Sequence, residues 1–210
     1  MSSLKSSLGE NNKFILLAVA LLAISMIILF AMNKGLYNPS IPVQTYSQAE
    51  QFIEEGVDYQ ITVKTVYGNI NIDLYEQKAP ENVNSLLFLI SKRYYEDLTF
   101  HRVIKDFVIQ AGDTKGDGTG NPGYSVSLEN TQESFLDYTV GMANASQFFI
   151  VLPNSDKTDF NGKFTPIGRV TTGFAVVDSI AKVEVDENYK PLNDVVIESI
   201  QITEQPATGL

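Results

Sequence analysis

The chain has 210 residues, 44% hydrophobic and 19% charged, the balance of a globular protein whose core can stand without staples. A net charge of -10 argues against a phosphate-binding surface, so no nucleic-acid partner is expected. With no cysteine, disulfides, thiolate zinc sites and cysteine nucleophiles are excluded, and with a single histidine a histidine-based metal site is not expected, nor is any cofactor.

Residues 14–32, FILLAVALLAISMIILFAM, carry no charge and as a helix would rise about 28 Å, close to a hydrocarbon core of about 30 Å. The run is longer than the apolar part of a typical secretory signal, and Ala31-Met32-Asn33 is not a small-x-small cleavage site. An uncleaved transmembrane anchor is the expectation. Lys5 and Lys13 precede the run, whereas beyond Lys34 the next basic residue is Lys64 and four acids intervene. The positive-inside bias puts residues 1–13 in the cytoplasm and the main domain outside, a single-pass protein of the cell membrane. Residues 33–56 read as a stalk with a short helix: Gly35, Pro39 and Pro42 break any periodicity, Ser47-Gln48-Ala49-Glu50 forms a capping box, and Gly56 is placed to end the helix. The folded domain is expected over 57–205, with 206–210 as a tail.

Residues 59–66 and 70–75 alternate apolar and polar side chains around Tyr67-Gly68-Asn69, a β-hairpin. Ala79-Pro80-Glu81 starts a helix in which Val83, Leu86, Leu87 and Ile90 recur at helical spacing. Two apolar runs, 100–104 and 107–111, then flank Lys105-Asp106, which suits a tight hairpin. Alternation puts His101 with Val103 on one face and Phe100, Arg102 and Ile104 on the other. On the second arm Phe107 and Ile109 alternate with Val108 and Gln110. Arg102 and Gln110 need partners or water inside such strands. Taken alone, the stretch leaves open whether they satisfy a structural network or line a cleft.

The glycine-rich segment 112–123 has a lysine, Lys115, where a calcium loop wants an oxygen ligand, and it lacks the Gly-Lys-Ser/Thr ending of a nucleotide loop. It reads as a mobile loop bordering a cleft. Residues 138–142 and 147–152 are two more strands with a tight connection, in which a glycan on the formal acceptor Asn144-Ala145-Ser146 is not expected. Residues 164–170 form a strand whose Pro166 suggests an edge or bulge. A second helix over 173–183 follows from Phe174, Val177 and Ile180, and 194–203 is the last strand. About eight strands and two helices make the fold mainly β, a closed antiparallel barrel capped by two helices. His101 reads as a hydrogen-bonded core residue rather than a base, and no base stands near Ser146 to support a hydrolase triad.

Three stretches belong together. Phe100-His101-Arg102-Val103-Ile104 with Phe107-Val108-Ile109-Gln110-Ala111-Gly112-Asp113, then Gly118-Thr119-Gly120, then 142–150 resemble the signature blocks of cyclophilin-type peptidyl-prolyl cis-trans isomerases. The resemblance covers roughly 59–203, including Ala79-Pro80, Asn161-Gly162-Lys163 and Gly168-Arg169-Val170. It implies an eight-stranded barrel with two helices, and isomerisation of X-Pro bonds without a cofactor. It implies Arg102 as the catalytic arginine and Gln110 as the glutamine that steadies it and the substrate carbonyl. Phe107, Val108, Phe149 and Phe160 become walls of a proline pocket. Ala143 and Asn144 become the edge that grips substrate backbone, with Gln147 lining the groove and Gly118 bordering the adjoining pocket.

The pattern departs from the family at Phe164, often a histidine, at Phe160, a leucine, and at Asp159, where many members carry a tryptophan that contacts cyclosporin. Asn121 replaces a usual glycine, and the connection between Ala145 and Ser146 is shortened. Weak cyclosporin binding is therefore expected. The resulting expectation is a membrane-anchored isomerase acting on proline-containing peptides and unfolded exported proteins. The alternative is a non-catalytic proline-peptide binding module at the cell envelope.

Overall fold

A computed structural model describes residues 44–207. Among the described residues no helix is long and apolar enough to cross a membrane, and the apolar run 14–32 lies outside them. The folded unit begins with β1 (Val57–Thr65) and β2 (Gly68–Leu74), followed by α1 (Pro80–Ser91). Next come β3 (Arg102–Ile104), β4 (Val108–Ala111), β5 (Thr139–Met142), β6 (Phe148–Val151) and β7 (Thr165–Thr172). The last elements are α2 (Phe174–Ile180) and β8 (Ile197–Pro206).

Every pairing is antiparallel, and the strands form one curled sheet in the order β3-β4-β6-β5-β7-β2-β1-β8. Alternation decides the inside. Tyr59, Ile61 and Val63 of β1 and Ile70, Ile72 and Leu74 of β2 are buried, while the residues between them are not. The expected closed barrel is only a half-barrel, because β3 and β8, at the two ends of the order, share no ladder. Residues just before β3 and around the start of β8 bridge the seam: Thr99 pairs with Val196, Phe100 N–H donates to Val195 O, and Ile197 N–H donates to Leu98 O. Val103 N–H donates to Tyr189 O, so a loop rather than β8 covers the edge of β3.

Helix α1 starts at Pro80, and Ala79 supplies no side-chain cap. Its orphan amides are satisfied from a distance: the Glu129 carboxylate accepts from Glu81 N–H and Asn82 N–H at 3.0 and 2.9 Å. The helix buries Phe88 and Leu89 as well as Val83, Leu86, Leu87 and Ile90, so it has little solvent face.

The reason is residues 44–53. The short helix expected there does not form, because the segment's polar backbone is satisfied by α1 instead. Asn84 Oδ1 accepts from Phe52 N–H and Ile53 N–H at 2.7 and 3.1 Å, and Asn84 Nδ2 donates to Glu50 O at 3.0 Å. Tyr46 packs edge-on against Phe88, with ring centroids 5.1 Å apart, and its N–H donates to Pro122 O. The segment is a strap across α1. Removing the Asn84 side chain cuts three of its tethers. Asn84→Ala is expected to lower stability by about 1–2 kcal/mol in urea unfolding and to speed limited proteolysis before Val57.

Candidate functional site

Strand register builds one row of the site. Arg102 lies opposite Gln110, Gln110 opposite Phe149, and Phe149 opposite Gly141. Directly opposed residues in antiparallel strands share a face, so Arg102, Gln110 and Phe149 point the same way. The adjacent row, Val103, Ile109, Ile150 and Val140, points into the main core and is buried. The site therefore occupies the outer face of the sheet.

That face carries a second apolar cluster of Val108, Phe135, Phe149, Val151 and Phe160, with Phe107 and Phe164 packed against it. Phe160 stacks on Phe107 and on Phe149 at 5.0 and 5.5 Å between centroids, and Phe164 meets Phe149 edge-on at 5.2 Å. Gly141 makes room for the rings, since a Cβ there would fall 2.5 Å from Phe149 and 2.7 Å from Phe135.

The connection from β3 to β4 differs from the expected two-residue turn. It uses three residues, 105–107, with Asp106 at φ 58 and Phe107 N–H donating to Ile104 O. The extra residue takes Phe107 out of the strand alternation and into the outer cluster. Phe100, expected on the Arg102 face, precedes β3 and packs inside against Phe148.

The polar groups form a directed chain. Arg102 Nη1 donates to Gln110 Oε1 at 3.2 Å, and Gln110 Nε2 donates to Gln147 Oε1 at 2.8 Å. Gln147 Nε2 donates in turn to Gly118 O and Gly120 O, at 3.1 and 2.8 Å. Among the described residues no carboxylate lies within ion-pair distance of Arg102. Its half-buried guanidinium has donors free for an acceptor.

The glycine-rich loop that supplies the two carbonyls is braced from within. The buried Asp113 carboxylate accepts from Lys115 N–H, Asp117 N–H and Gly118 N–H. Gly112, at φ +90, lets the loop start hard against β6, where a Cβ would fall 2.2 Å from Ser146 O. The tight connection between β5 and β6 is held by Asn144, whose Oδ1 accepts from Ser146 N–H and Gln147 N–H at 2.9 and 2.8 Å. Asn144 Nδ2 reaches Gly120 O at 3.3 Å, so that edge joins the same loop. Among the described residues no group of three acidic or histidine side chains is placed to hold a metal ion.

The structure thus brings Arg102, Gln110, Gln147 and the Gly118 carbonyl into one network. It gathers Phe107, Val108, Phe149, Phe160 and Phe164 beside them, and it sets Ala143 and Asn144 at the adjoining edge. Sequence reasoning missed Phe135. It stands in an irregular polar stretch with no periodicity, and a lone aromatic there was its only signal, while its burial shows only in the structure.

The family pattern described as cyclophilin type peptidyl-prolyl cis-trans isomerase/CLD matches residues 59–202. The chain belongs to this family. It is 35% identical over 160 residues to a peptidyl-prolyl cis-trans isomerase-like 3 of Gallus gallus, covering 70% of this chain and 97% of the relative. Isomerase CYP18-2 of Arabidopsis thaliana is 33% identical, with 68% and 93% covered. Isomerase cyp15 of Rhizopus delemar is 39% identical over 81% of this chain, which spans only 29% of that longer protein. A solved cyclophilin type isomerase of Cryptosporidium parvum superposes with a TM-score of 0.66 at 26% identity, covering 71% of this chain and 99% of that one. The same protein was also solved in the presence of the dipeptide Ala-Pro, with a TM-score of 0.64 at 27% identity.

Within this cyclophilin-type domain His101 stands apart from the row. It is buried, as expected of a core residue, but among the described residues neither ring nitrogen has a hydrogen-bond partner, unlike the hydrogen-bonded histidine expected. Burial pushes its pKa down, and the nearby Asp113 opposes this only in part. The unfolded chain binds a proton at this histidine at higher pH than the folded one. Stability is therefore full above about pH 6.5 and falls as pH drops below it, by at most about 1.4 kcal/mol per pH unit. Urea midpoints measured between about pH 7.5 and 5.5 should show this decline, and His101→Gln should flatten it.

Proposed function

We propose that this chain is a membrane-anchored peptidyl-prolyl isomerase whose catalytic row is Arg102 and Gln110 beside the phenylalanine cluster. The observation that carries the reading is a guanidinium with no carboxylate partner among the described residues, oriented by an amide relay next to an aromatic cluster. Rotation about a peptide bond faces a barrier of about 18–20 kcal/mol, and no bond need break to lower it. What counts is tighter binding of the twisted amide than of either planar form, with each ~1.36 kcal/mol giving tenfold in rate. Twisting returns the lone pair to the proline nitrogen. A fixed cationic donor near that nitrogen or the neighbouring carbonyl then gains strength only in the transition state.

An arginine side chain does this with no proton transfer, which leaves His101 without a catalytic task. Phe107, Val108, Phe149, Phe160 and Phe164 offer ring faces and apolar edges for a proline ring, and Gln110 steadies both Arg102 and the substrate carbonyl. Ala143 and Asn144 supply an edge for substrate backbone, with Gln147 and Gly118 behind it. Asp159 is exposed next to the buried Phe160, and the chain has no tryptophan, so cyclosporin binding is proposed to be weak.

Arg102→Ala is expected to lower kcat/KM on a proline tetrapeptide by on the order of 10²–10³-fold while peptide binding persists. A direct isomerisation assay decides. If the unmodified chain binds the peptide and gives no rate enhancement, the non-catalytic binding module is the correct account.

The charge pattern around the apolar run supports a cytoplasmic N-terminus and an extracytoplasmic domain acting on exported chains as they fold. Slow X-Pro isomerisation limits such folding. Protease added to intact cells should digest the domain. Its survival while other external proteins are cut would place the domain inside.

A further inference from the structure

The strap across α1 does more than cover apolar surface: it forms one wall of a groove of about 700 Å³. Ser47, Gln48 and Gln51 of the strap, Pro80 and Asn84 of α1, and Tyr124, Ser125 and Val126 all line it. Those same three residues line a second depression of about 360 Å³, whose other side is the Ala143, Asn144 and Ala145 edge. The two hollows adjoin, sharing the segment 124–126.

The junction is built rather than incidental. Tyr124 Oη and Ser85 Oγ are 2.8 Å apart, and Ser85 Oγ donates to Ala145 O at 2.7 Å, tying the loop, α1 and the substrate edge together. The strap wall is fixed by its bonds to Asn84 and Pro122.

The lining chemistry selects the occupant. Ala49, Ile53, Pro80 and Val126 give apolar surface, whereas Ser47, Gln48, Gln51 and Ser125 give hydroxyls and amides. Such a mixture suits the main chain and small side chains of an extended polypeptide. Among the described residues no cation lines the groove and its only charged lining residue is Glu81, in a chain of net charge -10. Phosphate-bearing ligands and acidic segments are disfavoured.

We propose that this groove is a distal subsite for the substrate chain, holding an extended uncharged or basic segment that flanks the X-Pro bond. The proposal rests on the isomerase reading above. It makes substrate length, and not only the residues touching proline, a determinant of recognition.

The test compares a tetrapeptide with peptides of the same proline core extended on either side by about eight uncharged residues, roughly 26 Å of extended chain. On the full chain, one extended peptide should show a KM about fivefold lower than the tetrapeptide, the gain from one or two additional buried contacts. Ser47→Trp and, separately, Gln51→Trp fill the groove from its exposed rim and should abolish that advantage. An acidic extension on the same side should show none.

Equal KM values for all lengths overturn the proposal, as does an advantage that survives both substitutions. Fluorescence anisotropy of the labelled peptides reads the same affinities without turnover. If no peptide is isomerised, the catalytic reading fails, while the length dependence of binding still decides the groove.

Discussion

The structure depends on the pairing of β4 with β3 and β6, because this part of the sheet must satisfy two apolar environments at once. One face closes the main core through Val103, Ile109 and Ile150, and the other supports the phenylalanine cluster through Val108, Phe149 and Val151. Strands covered on both sides lose clean alternation and read as continuous apolar runs. In such a setting a polar residue is either costly or useful. Register puts Arg102 and Gln110 at neighbouring positions of one row, so each answers the other's hydrogen-bonding need and both stay at the edge of the aromatic surface. A slip of one residue would send the guanidinium into the core.

Gln147 gives that row its direction. It is almost wholly buried, its carbonyl is used by Gln110, and its amide nitrogen is used by two loop carbonyls. Reversing any amide in the chain would set donor against donor, and leaving a buried group unmatched costs about 1–3 kcal/mol. The backbone carbonyls of Gly118 and Gly120 therefore fix the polarity of everything up to Arg102. Asp113 stands behind them, holding the loop by accepting three N–H groups. The carboxylate that superficially suggests a calcium ligand is thus a scaffold for the arginine's support.

Much of this was legible in the sequence wherever local pattern and tertiary context agree. The β1–β2 hairpin, Pro80 opening α1, the strands around the Asn144 turn and the seven-residue α2 all follow from alternation, helical spacing and turn residues. Failures fall where distant partners decide. The capping box at Ser47 to Glu50 is sound local chemistry, yet Asn84 offers those backbone groups a better set of bonds and Phe88 offers Tyr46 a ring to pack on. Phe135 belongs to the outer cluster through contacts made from an irregular segment, which no periodicity reports. Closure of the barrel was misread because strand number does not say whether the first and last edges meet. Here β3 has three residues and a loop takes its edge. Arg102 and Gln110 could be singled out from sequence, but their partners needed the register, which places them in a hydrogen-bonded network with Gln147 beside the outer phenylalanine cluster.

The strap and the Arg102 row are separable parts of the fold, and the physical reason lies in how each is anchored. The row is set by strand register and by a buried amide, both of which fail together if the sheet shifts. The strap is set by the Asn84 side chain, an ion pair from Glu50 to Lys92, the ring contacts Tyr46–Phe88 and Phe52–Tyr59, and a bond to the glycine-rich loop's far end at Pro122. Such a segment can change in sequence with little effect on the amides that orient Arg102. It still forms a wall of the groove that adjoins, at 124–126, the hollow beside the Ala143 edge. A fold that must keep its arginine in place can therefore vary what it recognises beyond proline only at attachments of this kind, which add surface without entering the sheet.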